Sequence, residues 1–290
     1  MIFLDISPCG EFMFSRNNEP KVVRHLFTSK KAKKILEDND LGQFDRIWAL
    51  QAPWFEDPNE RREGVSGVVT WQLKLPDDSS QRVFIKRQEN HNTRTYRHPF
   101  RGEPTFYREF RNLQMLESMG VPVIEVLYYG EALGAGKRQA ILISKGLDDY
   151  VSLEEWFSQP EKISNQDSVN AVLSALVKAI KPMHNNRIKH GCLYGKHLFV
   201  KELQAQQDAP VFDIKLLDLE KAKKIWPKRL AIEKDLSQLL RHMPGLDPGA
   251  SEKLLAYYFA DSDLTGWRQR LNQAILAKQA KQQQKAKEVA

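Results

Sequence analysis

One short stretch constrains this chain more than any other: His190-Gly191-Cys192-Leu193-Tyr194-Gly195-Lys196-His197-Leu198-Phe199-Val200. An apolar run, Ile214-Lys215-Leu216-Leu217, follows it and ends on Asp218. A carboxylate at a strand end is a suitable hard oxygen ligand for Mg2+ that bridges phosphates. Two imidazoles and one thiol in the preceding loop supply the other reactive groups. Such a pairing narrows the architecture further than it narrows the activity.

A kinase catalytic loop reads His-x-Asp-x-x-x-x-Asn, with an Asp-Phe-Gly-like motif beyond it. Here Cys192 stands at the position of the Asp base, and His197 at that of the second metal ligand. Asp218 keeps the first metal ligand. Glu220, two residues on, either assists it or belongs to the surface. A thiol is a weak acceptor and is mostly protonated at neutral pH. Imidazole suits softer ions than Mg2+, so His197 either ligates weakly or donates to phosphate. His190 reads as a packed histidine that holds the loop backbone. His190, His197 and Cys192 offer no obvious fourth ligand for a tetrahedral zinc site.

The chain has 290 residues, more than a single hydrophobic core usually serves, so two lobes are expected. Its 41% hydrophobic and 28% charged residues exclude wholesale disorder. A formal net charge of +7 favours acidic partners such as nucleotides, phosphorylated sugars or anionic lipid. No nucleic acid is expected, because no motif interleaves aromatic and basic residues. Cys9 and Cys192 are too few for a disulfide framework, and the start lacks the features of a signal peptide. No apolar run reaches the length of a spanning helix. The expectation is a cytoplasmic protein, with a peripheral contact at the inner membrane compatible with it.

Hydrophobic patterning divides the chain in two. Residues 65–75 and 82–87 read as hairpin strands around Pro76-Asp77-Asp78-Ser79-Ser80. Pro104–Met119 reads as a helix, with Phe106, Phe110, Leu113 and Leu116 on one face. Strands are expected over Pro122–Gly130 and Gln139–Ser144. From Ser152, whose spacing to Glu155 suits a capping box, the texture turns helical. Ser168–Met183, Lys234–His242 and Ser251–Tyr258 read as helices, and the Lys- and Gln-rich end as a solvated one. The fold class expected is α+β: a bilobal protein-kinase-like fold with a β-rich N-lobe and an α-rich C-lobe. The N-lobe spans 1–145, with strands over 65–144 and one main helix over 104–119. The C-lobe spans 146–290, with the catalytic-loop-like segment 190–200 and a basic tail.

Phosphoryl transfer needs a strand lysine on the α/β-phosphates and a helix carboxylate that holds this lysine. Lys86 ends the apolar Val83-Phe84-Ile85, and Glu109 borders the apolar face of the 104–119 helix. Gly64, Ser66 and Gly67, in Glu63-Gly64-Val65-Ser66-Gly67-Val68, are candidates for close backbone approach to phosphate. An ordinary hairpin turn accounts for them equally well. Ser144, at the junction of the two halves, completes the candidate nucleotide contacts. Arg87, Arg94, Arg97 and Arg101 supply guanidinium groups for an anionic sugar or for a solvated loop.

Taken together, VFIKRQENHNTRTYRH, Pro104–Gly130 with REFRNLQML, and HGCLYGKHLFV resemble the lipopolysaccharide kinase (Kdo/WaaP) family, most closely its InaA branch. The resemblance covers about residues 60–245. It implies a protein-kinase-like fold that uses ATP and Mg2+ to phosphorylate a sugar hydroxyl of the lipopolysaccharide inner core. It also implies a Gram-negative bacterial source. His at position 197 suits the family, whereas Cys192 departs from its catalytic Asp. Asp235, in EKDLSQLLRH, is placed like the kinase helix aspartate that braces the catalytic loop. An acceptor of glycolipid type and, alternatively, a nucleotide- or partner-binding pseudokinase both follow from these residues.

Overall fold

A computed structural model describes residues 21–61, 64–95, 98–134, 136–203, 210–243, 245–260 and 263–289. They form two compact units. One takes the residues up to Tyr107 together with Val126–Gly146; the other takes Arg108–Glu125 and the chain from Leu147 onward.

The first unit is built on a six-stranded antiparallel sheet. In chain order it contains β1 (Lys21–Phe27), α1 (Lys30–Asp38), α2 (Phe44–Ala49), β2 (Trp54–Arg61), β3 (Gly64–Lys74) and β4 (Ser80–Glu89). The hairpin β5 (Asn92–Thr95) and β6 (His98–Pro104) follows, then β7 (Val126–Gly134) and β8 (Lys137–Lys145), while α3 (Thr105–Ser118) begins in this unit and belongs from Arg108 onward to the second. The sheet order is β1-β7-β8-β4-β3-β2.

Side chains alternate across a strand. Val83 and Ile85 of β4, with Val69, Leu73, Ile141 and Ile143 of its neighbours, therefore share one face. That face packs on Ile35 and Leu36 of α1 and on Phe44, Ile47 and Trp48 of α2. The basic run Lys30-Lys31 thus begins a helix whose other stripe closes the sheet core. Ser29 caps this helix by accepting the Ala32 N–H at 3.0 Å. Lys86 falls between Ile85 and Arg87, so it points to the opposite face.

The Arg- and His-rich segment after Gln88, which has no periodicity of its own, forms the β5–β6 hairpin. Gln88 anchors its base. Its amide donates to His91 O at 2.6 Å and its carbonyl accepts the Phe106 N–H, the first turn of α3, at 2.9 Å.

The second unit is mainly helical. Its elements are β9 (Val151–Ser152), α4 (Leu153–Phe157), α5 (Pro160–Ser164), α6 (Gln166–Asn185), β10 (Ile188–Lys189), β11 (Leu198–Leu203), β12 (Val211–Leu216), β13 (Lys223–Lys224), α7 (Lys228–Arg241), α8 (Pro248–Tyr258) and α9 (Leu264–Val289). The N-cap half of the capping box forms: Ser152 Oγ accepts the Glu155 N–H at 3.1 Å and starts α4. Asn165 caps α6 through the N–H groups of Asp167 and Ser168. Val172, Leu173, Leu176, Ile180 and Met183 bury the face of α6 that the fourfold spacing indicated. β11 and β12 form an antiparallel pair that carries the loop at one end and Asp218 just past the other strand.

Candidate active site

The loop 190–197 is folded by its glycines and by hydrogen bonds to main chain. Gly191 has φ of +83°, and a Cβ there would lie 3.0 Å from Lys221 O, so only glycine fits without strain. Gly195 opens a single 3₁₀ turn, Gly195–His197, against Glu154 of α4. The Tyr194 N–H donates to Cys192 O at 2.8 Å, and His197 O accepts the Leu217 N–H at 2.9 Å. This second bond ties the loop directly to the residue before Asp218.

Asp235 of α7 holds the loop from beneath. Its Oδ2 accepts the His190 N–H at 2.6 Å and its Oδ1 the Gly191 N–H at 3.0 Å. Oδ2 also meets His184 Nε2 at 3.1 Å. A carboxylate only accepts, so Nε2 of His184 bears the proton and Nδ1 accepts from the Tyr258 hydroxyl at 2.7 Å. Burial alone would raise the Asp235 carboxyl. The hydrogen bond and charge of His184, then the Gly191 N–H, outweigh burial and hold it below the usual range. The bracing role implied by the family resemblance is carried by main-chain donors, not by a surface ion pair.

His190 is fully buried, and burial pushes its imidazole down to about 4. Neutral at physiological pH, it accepts the Cys192 N–H at Nδ1 (3.3 Å). Its ring lies parallel to that of His197, with centroids 6.4 Å apart. His190 therefore shapes the loop and has no exposed edge for chemistry.

Nδ1 of His197 donates to Cys192 O at 2.8 Å and sits 3.4 Å from Asp218 Oδ2. That nitrogen carries a proton and offers no lone pair to a metal. Any contact of His197 with a metal or phosphate therefore falls to Nε2. Among the described residues no group of three or more His, Cys, Asp or Glu forms a ready-made metal cage. Mg2+ does not need one, since it is commonly held by one or two carboxylates plus substrate phosphates and water. Asp218 fits that demand.

Asp218 adopts a left-handed conformation, φ 56° and ψ 53°, which few residue types tolerate as well as Asp. The 3₁₀ turn Leu219–Lys221 follows it. Asn112 of α3 clasps this turn, its amide donating to Leu219 O at 2.7 Å and to Ala222 O at 3.0 Å. Glu220 pairs with Lys221 at 3.5 Å.

Cys192 is 6% exposed and unbonded to any other cysteine. Burial pushes its thiol up, Asp218 adds to the effect, and the charge of Lys221 opposes it. Burial likewise works against the Lys221 ammonium, but Cys192, Glu220 and Asp218 together raise its value. With both groups raised, each keeps its proton at neutral pH: a neutral thiol beside a charged lysine.

The remaining candidates divide between the units. In the first, Lys86 pairs in register with Val68 of β3 and Leu142 of β8, and its Nζ lies 5.9 Å from the Phe106 ring centroid. Ser144 is buried on β8 opposite Phe84. Ser66 and Gly67 lie within the strand ladder, opposite Gln88 and Arg87, and not in an open loop. A Cβ on Gly67 would come within 2.3 Å of the Trp54 ring, so Gly67 admits a packed indole. Only Gly64, opposite Arg61 where the β2–β3 hairpin turns, keeps a tip position. Glu63, like Cys9, lies outside the described residues.

Arg87 corrects another expectation. It is 4% exposed, donates to Trp48 O at 2.8 Å and Leu50 O at 2.9 Å, and lies over the Trp54 ring. Burial lowers its guanidinium to about 10. It staples α2 to the sheet and is not available to an acceptor. Arg94 is exposed on β5, Arg101 lies in β6, and Arg97 is outside the described residues. In the second unit, Glu109 is 2% exposed on α3. It stands three residues beyond Phe106 on the same helix face.

Sequence patterning missed Lys221, Asn112, His184 and Tyr258. The last three act through main chain or through one another, and leave no spacing signal. Lys221 sits three residues past Asp218 inside a Lys-rich run that reads as solvated surface.

A β4 lysine followed by a helix, a histidine-led loop braced from a helix aspartate, and a strand that ends on a carboxylate define the protein-kinase-like fold. Within that class the chain belongs to the lipopolysaccharide kinase (Kdo/WaaP) family, whose pattern matches residues 45–258. It is 31% identical over 220 residues to Protein InaA of Escherichia coli (strain K12), across 75% of this chain and 96% of that one. The solved structure titled WaaP in complex with acyl carrier protein matches with a TM-score of 0.59 and 19% identity. That match covers 88% of this chain and 99% of the other, a likeness of fold. Among the described residues no helix is long and apolar enough to cross a membrane.

Proposed function

We propose that the chain is an ATP-dependent phosphotransferase acting on a sugar hydroxyl of the lipopolysaccharide inner core or a related anionic glycolipid. The observation that carries this reading is Asp218, held in a strained turn beside a loop that Asp235 fixes by two main-chain hydrogen bonds. Asp218 would hold Mg2+, which would supply neutralisation of nucleotide phosphate charge. Lys86 contacts the α/β-phosphates, with Glu109 as its helix carboxylate. Gly64 and Ser144 border the nucleotide. His197, with Nδ1 committed to Cys192 O, offers only its other nitrogen to phosphate or acceptor. The reaction takes place in the cytoplasm, at the inner face of the membrane where such an acceptor is met.

Thermal-shift titration with ATP, with and without Mg2+, together with transfer from labelled ATP to core glycolipid, tests the reading. Lys86→Ala and Asp218→Ala should each abolish the Mg2+-dependent shift and the transfer. An unchanged shift in both variants sinks it.

A second reading has its own support. The neutral thiol of Cys192 is a poor acceptor for a hydroxyl proton, and the neighbouring ammonium of Lys221 discourages further positive charge there. A pseudokinase that binds nucleotide and regulates a partner needs Lys86 and Asp218 but no base. Nucleotide binding without transfer to any core glycolipid selects it.

A further inference from the structure

Within the second unit, away from the loop, α6, α7, α8 and the start of α9 line a half-open cavity of about 250 Å3. Three cations line it, Lys181, Lys228 and Arg229, together with the rings of Tyr258, Phe259 and Trp267. Among the described residues no acidic side chain lines it. Lys228 Nζ donates to the neutral amide oxygen of Asn185 at 2.7 Å, which leaves its charge uncompensated. Lys181 lies over the Tyr258 ring at 5.8 Å. Phe259 and Trp267 stack with centroids 4.7 Å apart and supply a flat apolar wall. The volume falls below the roughly 300–1,000 Å3 of drug-sized sites, so the ligand is small.

Cations and aromatic rings in one lining select an amphipathic anion. Lys and Arg bind phosphate oxygens by charge-assisted hydrogen bonds. Lys228 and Arg229 also open α7, whose first turn contains neither an acidic residue nor a capping side chain. Positive side chains at the positive end of a helix are unfavourable until an anion joins them.

Tyr258 lines the cavity and also donates to His184, which in turn holds Asp235. Asp235 fixes the N–H groups of His190 and Gly191. A continuous hydrogen-bonded chain thus leads from the cavity wall to the loop. We propose that the cavity binds a phosphate monoester bearing a small apolar group, and that its occupancy stiffens the loop at Gly191 through Tyr258, His184 and Asp235. This assignment is independent of whether the chain transfers phosphate.

Phenyl phosphate is the probe, with phenol and inorganic phosphate as controls, read by tryptophan fluorescence of the full chain. The expected result is saturable quenching by phenyl phosphate that Trp267→Phe removes. The double variant Lys181→Gln, Arg229→Gln, which leaves the core untouched, should weaken binding about tenfold or more, as loss of charge-assisted hydrogen bonds predicts. Amide exchange at His190 and Gly191 should slow by about threefold or more on saturation. No quenching, or equal affinity in the double variant, overturns the site. Binding with unchanged exchange at both amides overturns the coupling. Sedimentation with phosphatidic acid in phosphatidylcholine vesicles distinguishes sources of the same chemistry. Vesicle binding that the double variant loses assigns the phosphate to a lipid headgroup; phenyl phosphate binding without it assigns a soluble ester. Either supports the site.

Discussion

Asp235 Oδ2 accepts the backbone N–H of His190 at 2.6 Å, from a carboxylate with no solvent exposure. The same carboxylate takes the Gly191 N–H and His184. Removing it leaves two main-chain donors and an imidazole N–H buried without partners. Asp235→Ala should cost about 3–5 kcal/mol, the range for breaking a buried charge network from one side. Urea unfolding midpoints of the variant and the parent check this. A loss within surface-substitution size would remove Asp235 from the centre of the fold.

His190 makes stability depend on pH. Its ordinary value is near 6.5 and the folded value is about 4. Between these the unfolded chain binds a proton that the folded chain refuses, so stability rises with pH and is lost as pH falls from about 6.5 to about 4. The size of the effect is on the order of 3 kcal/mol. In His190→Gln most of this slope should be lost across the window, the remainder coming from His242, whose value burial and Arg241 also lower. A parent-like slope in His190→Gln would place the titration elsewhere.

Cys192→Asp puts a carboxylate beside Lys221 and restores an acceptor for a hydroxyl proton. If the parent transfers phosphate slowly for want of a base, the variant should be about 10²–10⁴ faster. Transfer from labelled ATP to core glycolipid gives the ratio. Equal rates would mean that positioning alone drives the reaction.

Arg87→Ala strips the partner from the buried carbonyl of Trp48 and from the half-buried carbonyl of Leu50. A loss of about 2–4 kcal/mol is expected, since each unsatisfied buried group costs about 1–3 kcal/mol. Arg94→Ala, at an exposed site, should stay within about 0.5 kcal/mol of the parent. Comparable thermal unfolding of the two variants would refute the staple.

Much of this architecture was legible because patterning and burial agree. The helix read over Pro104–Met119 runs Thr105–Ser118, and the strand read over 65–75 runs Gly64–Lys74. β5 and β6 went unread because their Arg, His and Asn residues show no twofold hydrophobic alternation. Their order comes from hydrogen bonds to Gln88 and Thr105. Arg87 deceived for a related reason: a guanidinium beside Lys86 looks solvated until two carbonyls of α2 are brought to it. Gly67 likewise carries no mark that distinguishes a phosphate cradle from room for an indole. Asp218 and the loop were readable by type and order. Lys221 was not, since its proximity to Cys192 arises only when Gly191 turns the chain.

Residues 219–227, between Asp218 and α7, are filled by a 3₁₀ turn under the Asn112 clasp and by β13 paired with β10. Kinases that are switched by phosphorylation rely on a long flexible stretch at this place. A tether so brief and so fully bonded has no slack to swing out and back. A covalent mark on that connection would meet a segment already fastened by Asn112 and by β10.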